Sequence, residues 1–188
     1  MSGKWRLTCA LAVLAAFGMT GAFKVSAEET AGHAGRQLRP LAAYAPSSLR
    51  EEHTELHERL ERLTKLGGRT GMAAQEVKRL LDPHFVKEEQ LAMPQLGLLA
   101  GLAAGRMPLN AGDAVRLSEK LEAELPRMLD EHKDIVAALQ VLRAAARDEK
   151  KPEAIRFADA LAAHAKMEEQ VLYPAAILVG KYVRIQQR

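Results

Sequence analysis

Residues 84–94, HFVKEEQLAMP, return eighty positions later as residues 164–174, HAKMEEQVLYP. Each copy sets a histidine four residues ahead of a glutamate, follows that glutamate with a second one and a glutamine, and ends on a proline. A four-residue step along an α-helix returns to nearly the same face, so His84 lies in line with Glu88, and His164 with Glu168. Val77, Leu80, Leu81 and Leu91 extend the first line, and Phe157, Leu161 and Val171 extend the second. Both lines therefore belong to the apolar stripe of a bundle helix.

Working outward, each copy is preceded by a lone histidine on another apolar stripe. His53 stands 31 residues before His84, with Leu56 and Leu60 after it. His132 stands 32 residues before His164, with Ile135 and Leu139 after it. The chain contains an internal duplication of a helical hairpin, which predicts an all-α, up-and-down antiparallel four-helix bundle built from two duplicated hairpins.

Punctuation places the helices. Ser47 or Ser48 can cap the first, which Gly67-Gly68 stops. The second starts near Thr70, and Asp82-Pro83 predicts a kink or a restart within it. Residues 94–111 are rich in glycine and proline and form the midpoint connection. The third helix spans about Asp113 to Arg147, with Leu121, Leu125, Met128, His132, Ile135, Leu139 and Leu142 turned inward and Pro126 off that line. The fourth begins at Pro152, a good first-turn residue. The bundle thus covers residues 47–183, followed by a tail at 184–188 and preceded by a lead at 28–46 that contains His33.

Residues 1–27 read as a secretory signal. Lys4 and Arg6 precede an uncharged stretch at 7–23, and Val25-Ser26-Ala27 offers a cleavage site. Export to the periplasm or secretion is expected, with an uncleaved membrane anchor as the alternative. Cleavage removes Lys4, Arg6 and Lys24 from 27 basic residues and leaves 24, equal to the 24 acidic ones. A neutral mature chain gives no basic face for nucleic acid and no patch for an anionic membrane. The single cysteine, Cys9, leaves with the signal, and with it any disulfide, iron–sulfur or zinc-thiolate chemistry. There is no glycine-rich phosphate loop, nucleophile elbow or aromatic cage for an organic cofactor.

The duplicated polar residues carry the chemistry. Four histidines and two glutamates fall on apolar lines, where an unpaired charge would cost several kcal/mol. A cation between them resolves that cost. Mixed imidazole and carboxylate donors suit iron or manganese, with zinc and copper possible by affinity, and two carboxylates able to bridge favour a pair of ions.

In its lone histidine, its His-x3-Glu-Glu followed by a proline, and the repetition of both, the chain resembles the haemerythrin-type HHE cation-binding domain over roughly residues 48–180. That resemblance implies a four-helix bundle around two iron ions of a non-haem centre, manganese or zinc being the alternatives. It implies that His53 and His84 hold one ion, that His132 and His164 hold the other, and that Glu88 and Glu168 bridge them with an oxo or hydroxo group. Glu89 and Glu169 would lie at the surface or behind the ligands. His57 aligns with the apolar Val136 and should face partly inward, which makes it a further candidate ligand. Oxygen-carrying haemerythrins are similar in using five histidines, but their four-apart pair lies on the third helix and not the first. Tyr173, opposite Met93 in the repeat, is either packing or a redox-active neighbour. The function implied is binding or sensing of dioxygen or another diatomic ligand. Removal of peroxide or nitric oxide by the same centre, or iron handling without turnover, are the competing readings.

Overall fold

The computed structural model describes residues 41–188. Residues 1–40, which include the expected signal and the first part of the lead with Cys9 and His33, lie outside the described residues. The described residues form no strand. A 3-10 turn at Leu41–Tyr44 precedes α1 (Ser47–Thr64), α2 (Gly68–Leu91), α3 (Met93–Leu96), α4 (Leu99–Ala103), α5 (Ala111–Asp148) and α6 (Pro152–Met167); a π-helical turn at Glu168–Leu172 then leads into α7 (Tyr173–Gln186). Consecutive long helices pack side by side, and α6 closes the ring by packing on α1. This is the all-α up-and-down bundle that the repeat predicts. No described helix is long and apolar enough to cross a membrane.

Gly67 and Gly68 stop α1 with φ of 67° and 60°, a left-handed backbone that glycine adopts without strain. Neither serine caps α1, which starts after Pro46 without a side-chain cap. The start of α2 is held from across the bundle. Glu149 accepts hydrogen bonds from the Arg69 amide at 2.8 Å, the Thr70 amide at 3.0 Å and the Thr70 hydroxyl at 2.6 Å. The carboxylate thereby satisfies amides that have no partner inside the helix. The Thr70 hydroxyl first, and then the two amides, hold Glu149 down to about 2.

Of the kink or restart expected at Pro83, the restart does not occur: α2 runs through Pro83, and α5 runs through Pro126. Both prolines are exposed, so the carbonyl each leaves unbonded one turn back faces water. Helix α7 continues to Gln186, past the boundary expected at 183. It touches α5 closely at Gly180, where a Cβ would come within 2.1 Å of the Ser118 Cβ.

The interior is layered. Leu56, Leu60, Leu63, Val77, Leu81, Phe85, Ile135, Leu139, Leu142, Phe157 and Leu161 fill one end. Leu96, Leu121, Met128, Tyr173 and Ala176 fill the space beyond the middle. On each of the four helical rods the histidine falls between these two apolar layers, so the polar residues share one level of the bundle.

Candidate metal centre

His53 from α1, His84 and Glu88 from α2, His132 from α5, His164 from α6 and Glu168 from the π-turn are each 5% exposed or less. They form two four-residue groups whose donor atoms lie within 4.8 Å of one another: His53, His164, Glu88 and Glu168 in one, and His84, His132, Glu88 and Glu168 in the other. Both glutamates belong to both groups. The histidines are paired across the two hairpins, not within them, which corrects the grouping of His53 with His84 and of His132 with His164. The reason is packing. The duplication does not say which neighbour each imidazole meets, and in the folded chain the His53 ring meets that of His164 at 5.4 Å and the His84 ring that of His132 at 4.5 Å between centroids.

The outer nitrogen of each of these four histidines is held by a carboxylate. His53 Nδ1 lies 3.3 Å from Glu89, His132 Nδ1 2.8 Å from Glu169, His84 Nδ1 2.9 Å from Glu131, and His164 Nδ1 3.0 Å from Glu52. A carboxylate accepts, so Nδ1 donates and the neutral ring presents a bare Nε2 to the interior. Glu89 and Glu169 were expected behind the ligands or at the surface; Glu52 and Glu131 were not foreseen. Their signal was present in the repeat, because Glu52-His53 and Glu131-His132 are the same dipeptide in the same register.

With the outer nitrogens committed, the inner ones conflict. His84 Nε2 and His132 Nε2 lie 2.8 Å apart, and two lone pairs at that separation repel unless a proton or a cation stands between them. His164 Nε2 is 2.7 Å from Glu168 Oε1, yet it is not aligned on that oxygen as a hydrogen bond. His53 Nε2, His164 Nε2 and Glu88 Oε2 are buried without a hydrogen-bond partner. Such groups are rare and costly unless an ion satisfies them. The donor set therefore fits a cation at each of the two groups.

The protonation preferences of the protein alone point the same way. Burial pushes the Glu88 carboxyl above its usual range, and the nearby charge of Glu168 adds to this. Burial also works against ionised Glu168, but the imidazoles of His132, His164 and His53 outweigh it and hold that carboxyl low. Burial disfavours a charged His164, but Glu168 beside it pushes the imidazole up to about 9. His84 is raised likewise, with Glu88 and Glu131 overcoming burial. In both cases the pocket attracts positive charge to its centre.

His57 does not join either group. Its side chain is 40% exposed and its Nε2 stands 3.6 Å from Asp82. Phe85 lies between it and the centre, stacked on His53 at 3.9 Å between centroids and edge-on to His57 at 5.8 Å. His57 is thus half-buried, as the partly inward orientation of Val136 leads one to expect, but the fold does not bring this candidate ligand into the donor groups. Val171 is also exposed, contrary to its place on the predicted stripe. In the π-turn the Tyr173 amide bonds to the Glu168 carbonyl, five residues back. The wider turn carries Val171 outward and Tyr173 inward. The Tyr173 hydroxyl donates a short hydrogen bond to Glu88 Oε1 and lies 3.4 Å from His84 Nε2 and 3.2 Å from His132 Nε2.

Residues 44–176 match the family model of the Hemerythrin HHE cation binding domain. No curated protein and no solved structure matches the chain. That family match covers most of the described bundle and contains every residue of both donor groups, and the chain belongs to the hemerythrin HHE cation-binding domain family.

Proposed function

We propose that this protein holds a non-haem di-iron centre, with His53 and His164 at one ion, His84 and His132 at the other, and Glu88 and Glu168 shared between them, and that it binds or senses dioxygen or another diatomic ligand outside the cytoplasm. The observation that carries this reading is the 2.8 Å approach of His84 Nε2 to His132 Nε2 while both outer nitrogens donate to carboxylates. Imidazole and carboxylate together favour iron or manganese over softer-ligand metals. Bound there, iron supplies redox-active coordination positions that a small ligand can occupy.

The chain's own residues do the remaining work. Glu52, Glu89, Glu131 and Glu169 hold each imidazole in the tautomer and orientation a metal needs. Phe85, Leu81 and Ile135 on one side and Met128 and Leu121 on the other surround the polar level with apolar side chains and exclude water. Exclusion of water and the compact donor set support reversible binding of a small ligand in preference to turnover of a large substrate. The secretory reading of residues 1–27 supports an activity in the periplasm or beyond, with cleavage before Glu28.

The test is a metal count on protein purified aerobically from iron-fed cells, followed by exposure of the reduced form to air. About two irons per chain and a visible spectrum that reverses on removing oxygen are expected. Absence of iron, manganese and zinc alike would overturn the metal reading. Irreversible oxidation with steady consumption of peroxide would replace the carrier by a redox-defence enzyme, and uptake of many irons per chain would replace it by iron handling. Cell fractionation with intact-mass measurement tests export and cleavage before Glu28.

A further inference from the structure

We propose that the Tyr173 oxygen is itself a ligand of the ion held by His84 and His132, so that the two metal positions are unequal and the added diatomic ligand goes to the ion held by His53 and His164. This inference rests on the di-iron reading of the site.

The distances from Tyr173 Oη to His84 Nε2 and His132 Nε2 suit ligands of one ion, while its contact with Glu88 Oε1 is a hydrogen bond. Adjacent ligands about 2.1 Å from one first-row ion stand about 3.0 Å apart when they subtend a right angle, and about 3.4 Å apart when tetrahedral. His84 Nε2 to His132 Nε2 is 2.8 Å, Tyr173 Oη to His132 Nε2 is 3.2 Å, Tyr173 Oη to His84 Nε2 is 3.4 Å, and His84 Nε2 to Glu88 Oε1 is 3.5 Å. All four edges suit one shared ion. The phenol is 1% exposed, and the hydrogen-bond partners of its oxygen are Glu88, His84 and His132, each a prospective ligand.

The backbone is arranged to bring this oxygen to the site. On a regular α-helix, a residue five beyond Glu168 would point roughly 140° away from it. The π-turn at Glu168–Leu172 undoes most of that rotation and turns Tyr173 back onto the face of Glu168. The first hairpin lacks the device. After Glu88 the chain closes an ordinary turn, from the Ala92 amide to the Glu88 carbonyl, and the matching residue is Met93. At the other position His53 is covered by Phe85, which has no donor atom, so that ion keeps a coordination place for an added ligand.

As a neutral phenol, Tyr173 donates to Glu88 Oε1, the oxygen nearest His84 Nε2. On metal binding the phenol O–H bond breaks, the oxygen electron pair goes to the ion, the proton leaves to solvent, and Glu88 Oε1 is freed to bind. No electron is transferred in this step.

The experiment loads the full-length wild-type protein and Tyr173→Phe with ferric iron and records metal content, visible absorption and resonance Raman spectra. The expected result is a phenolate-to-iron charge-transfer band and tyrosinate ring modes in the wild type, and neither in whatever iron the variant holds. A wild type that holds two irons without the band overturns this inference and leaves the di-iron reading standing. A wild type without iron overturns both. Azide added to the loaded wild type gives a second measurement that needs no variant. An azide band appearing while the phenolate band persists supports unequal positions, and displacement of the phenolate overturns them.

Discussion

The two hairpins of the bundle each carry the same three inward-facing polar residues, two histidines and a glutamate, and treat the following proline differently. Before Pro94 the first hairpin ends α2, and the chain breaks into the short helices α3 and α4. Before Pro174 the second inserts a π-turn and continues as α7, which packs on α5. A proline lacks the amide that would continue the regular pattern, and just before these two the hairpins change geometry, whereas α2 and α5 run on through Pro83 and Pro126. One solution buries Met93 in α3 and the other brings a hydroxyl into the site. The duplicated features build two four-residue donor groups of the same composition. The unduplicated ones, Tyr173 against Met93, Phe85 against Ala165 and His57 against Val136, make its two positions different.

The largest expected effect comes from a residue both positions share. Glu168→Ala removes an oxygen from each donor group and should empty both, taking the metal count per chain from about two to near zero by elemental analysis. If one ion remained at full occupancy, the shared role of Glu168 would be wrong and the hairpins would act separately.

The supporting carboxylates come next. Glu52→Gln and Glu131→Gln each weaken the hold on one histidine, His164 and His84 respectively. A loss of about 10–100-fold in metal affinity is expected for each. Glu131 is itself fixed by Lys87 and by Arg127 at 3.4 Å. A titration that resolves two binding steps should show Glu131→Gln weakening the step assigned to the His84–His132 ion, and Glu52→Gln the other. Equal weakening of both steps by either change would erase the distinction between the positions.

A smaller effect separates the second helices of the two hairpins. Helix α6 starts at Pro152, whereas α2 depends on Glu149 reaching from the other hairpin. The folded carboxyl titrates near 2 and the free one near 4.5. Its contribution is therefore complete above pH 4.5 and is lost as pH falls toward 2. Thermal melting of metal-free protein should show a drop in stability across that window, and Glu149→Gln should flatten it. An unchanged profile in the variant would show that the clamp contributes nothing.

The smallest change is His57→Ala. The ring is half-buried beside Asp82 and outside both donor groups, so metal content and affinity should match the wild type and stability should shift by no more than about 0.5 kcal/mol. Loss of one metal per chain would restore His57 as a ligand and reverse the asymmetry assigned to the two hairpins.

Much of this was legible in the residues themselves, because helical periodicity is a local property. The spacing of His84 and Glu88, and its repetition at His164 and Glu168, determined which side chains face inward and that the chain is a doubled hairpin. The Glu-His dipeptides at 52–53 and 131–132 already marked the supporting carboxylates, though nothing local showed which histidine each would reach. What tertiary structure alone decided was partnership. A stripe names the face of a helix, but the rotation and order of the packed rods select what that face meets. Packing set His53 against His164 and His84 against His132, left His57 at the rim behind Phe85, and, through five residues of wider backbone, turned Tyr173 into the centre.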